Sequence, residues 1–510
     1  MIHLIEASWF LFFAAFVLLF NRELKKFRYF RSQKEHGCQG VPTYPQWDPL
    51  FGSDIAISMA GALKNHRFLI WLRELHAKTR SKTFTLNFLG TRFIHTIEPE
   101  NMKFLSTVVW KDFGVEPMRR LNKASMPFAD KGVNTTDGHM WEFSRFLIKP
   151  YFIREAFSNT DRLEKHTDNL IALIPQDGSA FDMQTLLQRW FLDTSTNFLY
   201  GESISCLIYP ERAEIAWAMT DVLRGIRLRL QMSKCLWLFR SQKWLDAVAI
   251  VHNFVDRHID RTYKEIQDSS KSKIVDAQSP SKEAENERSD LLWSMANKLK
   301  NDKEALRSQM LLLFVPNNDT TSIFISNNFW NLARYPNVYA KVREEVMSYG
   351  DAPLTYETLR SMKYLESVLN ETHRLYPNGV TQVRMCLKDT TLPLGGGPGG
   401  KSPIFVQKGD VVQVNKSVMH RDKDVWGEDA DEYRPERWEN LRPFWTFVPF
   451  GGGPRRCPAQ LLVTTETSYL IARFARRFKS LTSADAKPYV PVMRVGPVNT
   501  NGVKISVVPA

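Results

Sequence analysis

A glycine-rich stretch near the C-terminus, Phe450 to Gln460, carries a cysteine in a setting that favours chemistry. Its glycines and prolines exclude a strand or helix interior, and it delivers Cys457 to the start of a segment with helical periodicity. The unpaired N–H groups and dipole of a helix N-terminus, with Arg455 and Arg456 alongside, favour a thiolate there. Such a thiolate is a metal ligand or a nucleophile; the alternative is a buried structural cysteine.

A second chemical feature is an acid followed by two hydroxyl residues, Asp319, Thr320 and Thr321, within a long apolar helical pattern. Burying such groups is unfavourable unless they serve a polar site or satisfy one another. Pro316, just before them, removes a backbone hydrogen bond and predicts a kink. The alternative is a helix restart after the proline, with an N-cap at Asn318 or Asp319.

Two further residue pairs at helical spacing could fix or bind charge. Glu371 and Arg374 are three residues apart on a predicted helix that ends at Pro377, so their side chains can pair. Trp141 and Arg145 are four residues apart and share a helix face, and an arginine fork suits a carboxylate. Taken alone, either pair is also typical of an ordinary helix surface, where ion pairs contribute little.

The glycine-rich stretch resembles the haem-ligand loop of the cytochrome P450 family. That pattern is Phe, two residues, Gly, one residue, Arg, one residue, Cys, one residue, Gly. Phe450, Gly453, Arg455 and Cys457 match it, and Ala459 departs at the last position. Alanine fits ordinary helical dihedrals, so this departure is compatible with ligation.

Other family motifs follow in the family's order and cover the chain after its first residues. Glu371 and Arg374 match the Glu-two-residues-Arg signature, which in the family pairs with an arginine of a later Pro-Glu-Arg segment. Arg437 occupies that position here. The resemblance implies that these three residues lock the core beneath the haem.

The central helix of the family crosses above the haem and ends its motif with Asp or Glu, Thr, Thr. By this resemblance, Asp319 and Thr320 are the catalytic residues that relay protons to bound dioxygen, since splitting the O–O bond needs two protons. Pro316 and Asn317 stand where the family has two small residues. We expect this departure to alter the proton relay or to contact substrate.

The resemblance implies a haem b cofactor with the Cys457 thiolate as axial iron ligand, which favours O–O cleavage. Trp141, Arg145 and Arg384 are expected to bind the haem propionates. The loop residues expected to enclose the cofactor are Phe450, Gly453 and Arg455.

The implied activity is O2-dependent oxidation of a hydrophobic substrate, either fatty-acid or alkane-like or a secondary metabolite. The sequence looks closest to fungal microsomal members of the alkane and fatty-acid hydroxylase type. Electrons would come from NADPH through a separate NADPH-cytochrome P450 reductase, because no nucleotide-binding fingerprint is present. Asn317 and Asn378 favour a functionalised substrate over a bare alkane. The expected pocket positions are Val115, Phe314, Asn317, Val380 and Val498.

Two other classes stay open. Pro316 and Asn317 prompt a haem-thiolate isomerase, dehydratase or oxidative-rearrangement enzyme of secondary metabolism. A non-catalytic haem sensor or carrier is the second, and failure to accept electrons from a reductase would favour it.

The resemblance implies that the elements which position these residues are mainly helical with a small β region. Alternating or β-branched runs predict strands over 83–89 and 93–97, and a further strand is expected over 381–384. Residues 301–333 predict a long helix. Polar residues 267–290 predict a surface loop. A length of 510 residues suggests two or three domains, but the resemblance implies one P450 catalytic domain over 37–510, acting as a monomer.

The N-terminus has the composition of a membrane anchor. Residues Ala7 to Phe20 are uncharged and almost wholly apolar, and basic residues follow them, so a single-pass anchor over 1–36 with a cytosolic body is expected. By resemblance, the membrane is the endoplasmic reticulum. A buried core helix is the alternative. The net charge of +13 comes without a nucleic-acid recognition motif, so lipid head groups and an acidic protein partner are the expected counterparts.

Overall fold

The structure is a computed structural model that describes residues 16, 17, 20, 23, 24 and 26–510, except 154–157, 276–289 and 301. Most of the predicted anchor over Ala7 to Phe20 therefore lies outside the described residues, and the division into 1–36 and 37–510 stays a prediction. Within the described part, no helix is both long and apolar enough to cross a bilayer.

Helices are the main elements of the described chain. After a helical segment at 26–35, they are α1 Ser53–Lys64, α2 Phe68–Thr79, α3 Pro99–Thr107, α4 Gly138–Ile148, α5 Glu164–Ala172, α6 Met183–Tyr200, α7 Glu214–Met232, α8 Gln242–Val275, α9 Leu291–Lys298, α10 Lys303–Arg334, α11 Pro336–Ser348, α12 Tyr356–Ser361, α13 Lys363–Leu375, α14 Lys416–Met419, α15 Lys423–Trp426 and α16 Gln460–Arg477.

The strands are short and form four small sheets. They are β1 Thr83–Phe88, β2 Thr91–Thr96, β3 Phe113–Gly114, β4 Phe181–Asp182, β5 Gln382–Cys386, β6 Thr390–Gly396, β7 Ser402–Val406, β8 Val411–Val414, β9 Phe478–Ser483, β10 Pro491–Met493, β11 Pro497–Asn499 and β12 Lys504–Pro509.

The largest sheet has the order β1-β2-β8-β5-β3. Its β2–β8 pair is parallel, with Ile94 opposite Val412, and its other pairs are antiparallel. Strand β12 lies between β4 and β9 in a second sheet, and β6 with β7 and β10 with β11 form hairpins. The fold is therefore mainly helical with a small β region, as the sequence predicts.

Helix α10 runs through the middle of the molecule. Its first half packs with α6, α7 and α8 in one apolar core, and its second half packs with α11, α13 and α16 in another. Being buried over most of its surface explains why its apolar residues do not follow a single stripe. The helix is continuous from Lys303 to Arg334, so the alternative of a restart at Asn318 is wrong.

Helix α8 differs from the sequence prediction. The polar stretch predicted as a loop from Gln267 remains helical as far as Val275, and the rest of that loop lies outside the described residues. Residues 267–275 include three serines and an aspartate, which are weak helix formers and therefore favour a loop in the sequence. Propensity is a weak signal, and here the helix continues through them.

Candidate functional site

The cysteine loop folds back on itself ahead of α16. The backbone N–H of Cys457 donates to the carbonyl oxygen of Phe450 at 3.0 Å, and α16 begins at Gln460. Gly453 has φ 65°, and a Cβ there would lie 1.8 Å from the carbonyl oxygen of Ser106, so this position requires glycine. The loop thus holds the thiol just before a helix N-terminus, as predicted.

The charges around the Cys457 thiol differ from those expected. Arg145, Lys416 and Arg456, together with the Ala459 backbone N–H, act to lower its pKa. Burial is the larger effect, so the pKa of the thiol is raised overall. The expectation that the neighbouring charges favour the thiolate is therefore wrong for the protein without a bound cation. A cation bound to the sulfur would favour the thiolate over the thiol.

Arg455 turns away from the sulfur. Its Nη2 pairs with Asp137 Oδ1 at 2.6 Å, and its guanidinium lies 4.7 Å from the centre of the Trp141 ring. Asp137 also accepts from the backbone N–H groups of Val115 and Glu116, so its carboxylate is fully engaged. The arrangement joins the cysteine loop to the start of α4 and orients Trp141.

A group of guanidinium ions lies beside this pair. Arg384 on β5 and Arg119 each have a lowered pKa, mainly because of burial. Repulsion from Arg119 adds to the shift of Arg384, whose pKa is about 9. Repulsion from Arg455 contributes to both shifts, while Asp137 opposes them. Asp137 pairs with Arg455, and the nearby carboxylate of Glu116 pairs with Arg120. Among the described residues neither Arg119 nor Arg384 has an ion pair, which leaves an excess of positive charge in a partly enclosed place.

Two further donors face this region without a protein acceptor. Among the described residues, no acceptor is found for the Trp141 indole N–H, and Arg145 makes no ion pair there. Three side chains are enclosed by the protein and yet keep accessible surface: Cys457, Arg119 and Arg384. This combination is typical of side chains that line an internal cavity.

The predicted charge network behind the cysteine loop is assembled in full. Arg374 donates to both carboxylate oxygens of Glu371 at 2.8 and 2.9 Å, and Arg437 Nε donates to Oε1 at 2.9 Å. Trp438 Nε1 and the Arg434 backbone N–H also donate to this carboxylate. Glu371 and Arg374 have no exposed surface, so every charge in the network has a partner where water is excluded.

Helix α10 accommodates Pro316 because a side chain outside the helix replaces the missing backbone hydrogen bond. Proline cannot donate to the carbonyl oxygen of Leu312, and the side-chain amide of Asn134 donates to that oxygen instead, at 3.1 Å. Thr320 Oγ1 donates to the Pro316 carbonyl oxygen at 3.0 Å. The helix therefore stays continuous across a residue that normally interrupts one.

Asp319 is held by an arginine distant in sequence. Its carboxylate pairs with Arg494, and Oδ2 accepts from the backbone N–H of Val495 at 3.1 Å. Arg494 also donates to Thr220 on α7 at 2.7 Å. Burial raises the pKa of Asp319, while Arg494 and Arg227 oppose that shift.

The half-buried side of α10 carries the residues that depart from the family pattern. Asn317 Oδ1 accepts from Thr321 at 3.3 Å, and Asn378 Nδ2 donates to the Thr320 carbonyl oxygen at 2.7 Å. Pro316, Asn317 and Thr320 keep accessible surface while their neighbours on α10 are buried. Both Asn317 and Thr320 thus lie on one accessible face.

The other predicted pocket positions are less accessible. Phe314 is completely buried against Tyr200 and Phe254, which places it in the core between helices. Val115, Val380 and Val498 are also buried. Substrate contact at these positions stays a prediction.

The chain is similar to known proteins over most of its length. A family model described as Cytochrome P450 matches residues 42–497. The chain is 62% identical over 474 residues to cytochrome P450 monooxygenase apdE of Emericella nidulans, covering 93% of this chain and 90% of that protein. It is 54% identical over 508 residues to cytochrome P450 monooxygenase iccC of Talaromyces variabilis, covering 99% of each. Identity to cytochrome P450 monooxygenase tenA of Beauveria bassiana is 50% over 471 residues, 92% of each.

The chain belongs to the cytochrome P450 family, and it is a P450 monooxygenase. The fungal resemblance is confirmed by these relatives, whose names give no substrate. Membership implies a haem thiolate with a cysteine ligand and O2 as co-substrate. The residues fit that cofactor, because the guanidinium cluster can neutralise two propionates and Cys457 offers an accessible sulfur.

Sequence analysis missed four residues that complete the site: Asn134, Arg119, Lys416 and Arg494. Each acts through a contact with residues far away in the chain. The lysine had a local signal, since it comes two residues after the largely apolar run 411–414.

Proposed function

We propose that this P450 hydroxylates or otherwise oxidises a hydrophobic small molecule, with electrons from NADPH delivered by a separate NADPH-cytochrome P450 reductase. For a hydroxylation, R–H, O2, NADPH and a proton give R–OH, water and NADP+. The observation that carries the proposal is the accessible Cys457 thiol in its closed loop, beside an excess of guanidinium charge.

In this proposal the Cys457 thiolate would hold the haem iron, and the haem would supply the activation of dioxygen. Trp141, Arg145 and Arg384 hold the propionates, and Arg119 adds to their positive surroundings. Arg455 acts mainly by fixing Trp141, since its charge is already paired with Asp137.

Thr320 and Asp319 serve proton delivery in this proposal. The Thr320 hydroxyl lies on the accessible face of α10, where it can hold a proton donor in place. Asp319 is bound to Arg494, so its uptake of a proton competes with that ion pair. A raised pKa, caused by burial, favours the protonated form of Asp319.

The substrate in this proposal is a functionalised hydrophobic molecule of secondary metabolism. Asn317 has an amide on the accessible face of α10, which suits a polar group on the substrate better than a bare alkane. Spectral shifts on binding, measured over fatty acids, alkanes, polyketides and terpenoids, test this. Tighter binding of the bare alkanes would argue against it.

We place the protein at the endoplasmic reticulum membrane, with an anchor over 1–36 and a cytosolic catalytic unit that is monomeric. Supporting this, Trp47, Leu50 and Ile57 are strongly exposed near the predicted anchor, as expected of side chains that touch a bilayer. Removing residues 1–36 should shift the protein from the membrane fraction toward the soluble fraction. Unchanged fractionation would count against the anchor.

The central test is Cys457→Ser, with Cys235→Ser as a matched control. The Cys457 variant should lose the thiolate-type spectrum of the reduced, CO-bound protein, and the control should keep it. Persistence of that spectrum in Cys457→Ser would refute the ligand assignment.

A second candidate is oxidative rearrangement, favoured by Pro316 and Asn317 at the centre of α10. Product analysis with NADPH and O2 consumption distinguishes the two. One oxygen atom gained per NADPH supports hydroxylation, whereas an isomeric or dehydrated product supports rearrangement.

A further inference from the structure

Lys416 is a buried cation directly behind the cysteine loop. It is the first residue of α14, and 5% of its surface is exposed. Its Nζ donates to the carbonyl oxygen of Pro449 at 3.3 Å and approaches that of Val448 at 3.5 Å. Both residues immediately precede Phe450, so the lysine holds the segment that enters the loop.

The space for this ammonium group depends on a glycine. A Cβ at Gly379 would lie 2.9 Å from Lys416 Nζ. A larger residue there would push the flexible end of the lysine side chain aside. The ammonium group therefore lies between the backbone at Gly379 and the carbonyl oxygens of Val448 and Pro449.

Lys416 has no carboxylate partner among the described residues. Arg384 repels it, and the attractive charge it faces is that of the Cys457 sulfur. Burial and Arg384 lower the pKa of Lys416 to about 8. His373 and His420 lie close enough to feel its charge, and burial keeps the pKa of each ring low, so neither supplies an anion.

A buried ammonium without an anion is destabilising by several kcal/mol. Backbone carbonyls offset part of that cost as hydrogen-bond acceptors, but they carry no net charge. A sulfur that is anionic when it ligates iron would supply the missing charge. The lysine and the ligand sulfur are thus complementary in the loaded protein.

We propose that Lys416 is a positioning residue for the iron ligand, which tethers the entry to the cysteine loop through Pro449 and Val448 and places a fixed positive charge behind that loop. The charge stabilises the thiolate and makes the iron easier to reduce, because adding an electron beside a fixed cation is favourable. This inference rests on Cys457 being the axial ligand in the proposed function.

Three substitutions separate the tether from the charge. Lys416→Gln can still donate to a carbonyl but has no charge, Lys416→Met has neither, and Lys416→Arg keeps both. Lys363→Met, at an exposed site on α13, is the matched control for losing one lysine charge.

The readout is the reduction potential of the full-length, haem-loaded protein, measured by spectroelectrochemical titration. Lys416→Gln and Lys416→Met should both move it to more negative values, lowering the equilibrium constant for one-electron reduction about tenfold, the scale of one unit charge acting through partly buried surroundings. Lys416→Arg and Lys363→Met should stay near the unchanged protein.

If Lys416→Gln leaves the reduction potential unchanged, the proposal is overturned, because the lysine would then act only as a tether. This holds even if Lys416→Met loses haem. Failure of the proposed function and failure of this inference can be distinguished. If the unsubstituted protein lacks a thiolate-type spectrum, the proposed function and this inference both fail. If it has that spectrum and Lys416→Gln keeps its potential, only this inference fails.

Discussion

The side-chain amide of Asn134 donates to the carbonyl oxygen of Leu312 at 3.1 Å, the oxygen that Pro316 cannot serve. A proline inside a buried helix leaves a carbonyl without its normal partner, and here a side chain from the segment before α4 supplies one. The departure of α10 from the family pattern is therefore compensated outside the helix.

This relationship predicts that Asn134 and Pro316 are energetically coupled. Asn134→Ala leaves a buried carbonyl without a donor and should lower the free energy of unfolding by about 1–3 kcal/mol. In a Pro316→Ala background the new backbone N–H serves Leu312, so the same change should have little effect. Denaturant unfolding of the four proteins measures the coupling. Equal losses in both backgrounds would contradict it.

The network around Glu371 predicts a large difference between two glutamates on α13. Glu371→Ala strands the buried charges of Arg374 and Arg437 and should lower stability by about 3–5 kcal/mol, with loss of haem-loaded protein. Glu366→Ala removes an exposed partner of Lys363 at the same spacing and should lower it by less than about 1 kcal/mol. Yield of loaded protein and denaturant unfolding check both. Similar losses would show that burial is not the cause.

The pairing of Asp319 with Arg494 predicts that the two residues act together in turnover. Asp319→Asn and Arg494→Gln should each lower product formed per NADPH and slow turnover about tenfold, because each breaks the same ion pair. The double variant should be no worse than Asp319→Asn alone. Arg224→Gln, at an exposed site on α7, is the control. If Arg494→Gln still forms the normal amount of product per NADPH consumed, the arginine has no part in the mechanism.

Buried histidines predict a loss of stability in mild acid. Burial lowers the pKa of His76 to about 4 and of His95 to about 3, with Asn415 donating to both rings. The unfolded chain binds protons below its ordinary histidine pKa, whereas the folded state does not, so stability is complete above about pH 6.5. Each ring then removes about 1.4 kcal/mol per pH unit as pH falls toward its folded value.

Unfolding free energies between about pH 7 and about pH 5 measure this slope. His95→Gln removes one titrating ring, so the slope should fall by about the contribution of one proton. The glutamine side-chain oxygen can still accept a hydrogen bond from Asn415, so the fold should be kept. His139→Gln, at a fully exposed position, should leave the slope unchanged. An equal change in both variants would assign the acid sensitivity to other groups.

Much of the architecture could be predicted because its causes are local. The alternating runs at β1 and β2, the apolar length of α10 and the spacing of Glu371 and Arg374 are all written within a few turns of chain. The cysteine loop is likewise local, since its glycines and prolines restrict the backbone by themselves.

The remaining features could not be predicted because they join distant segments. Nothing near Asn134 indicates Leu312, and nothing near Lys416 indicates Pro449. The expectation for Cys457 was wrong in sign for a similar reason. The local arginines were visible in the sequence, but the burial that outweighs them arises from the packed protein.

The register of the sheets sets the order of events during synthesis. Strand β2 can pair with β8 only after residues 411–414 have been made, and β4 can pair with β12 only after residues 504–509. The sheet of β4, β12 and β9 therefore cannot close before the cysteine loop has been made. Until these late strands arrive, their partners have unpaired edges, so the partly folded chain has to be protected from aggregation.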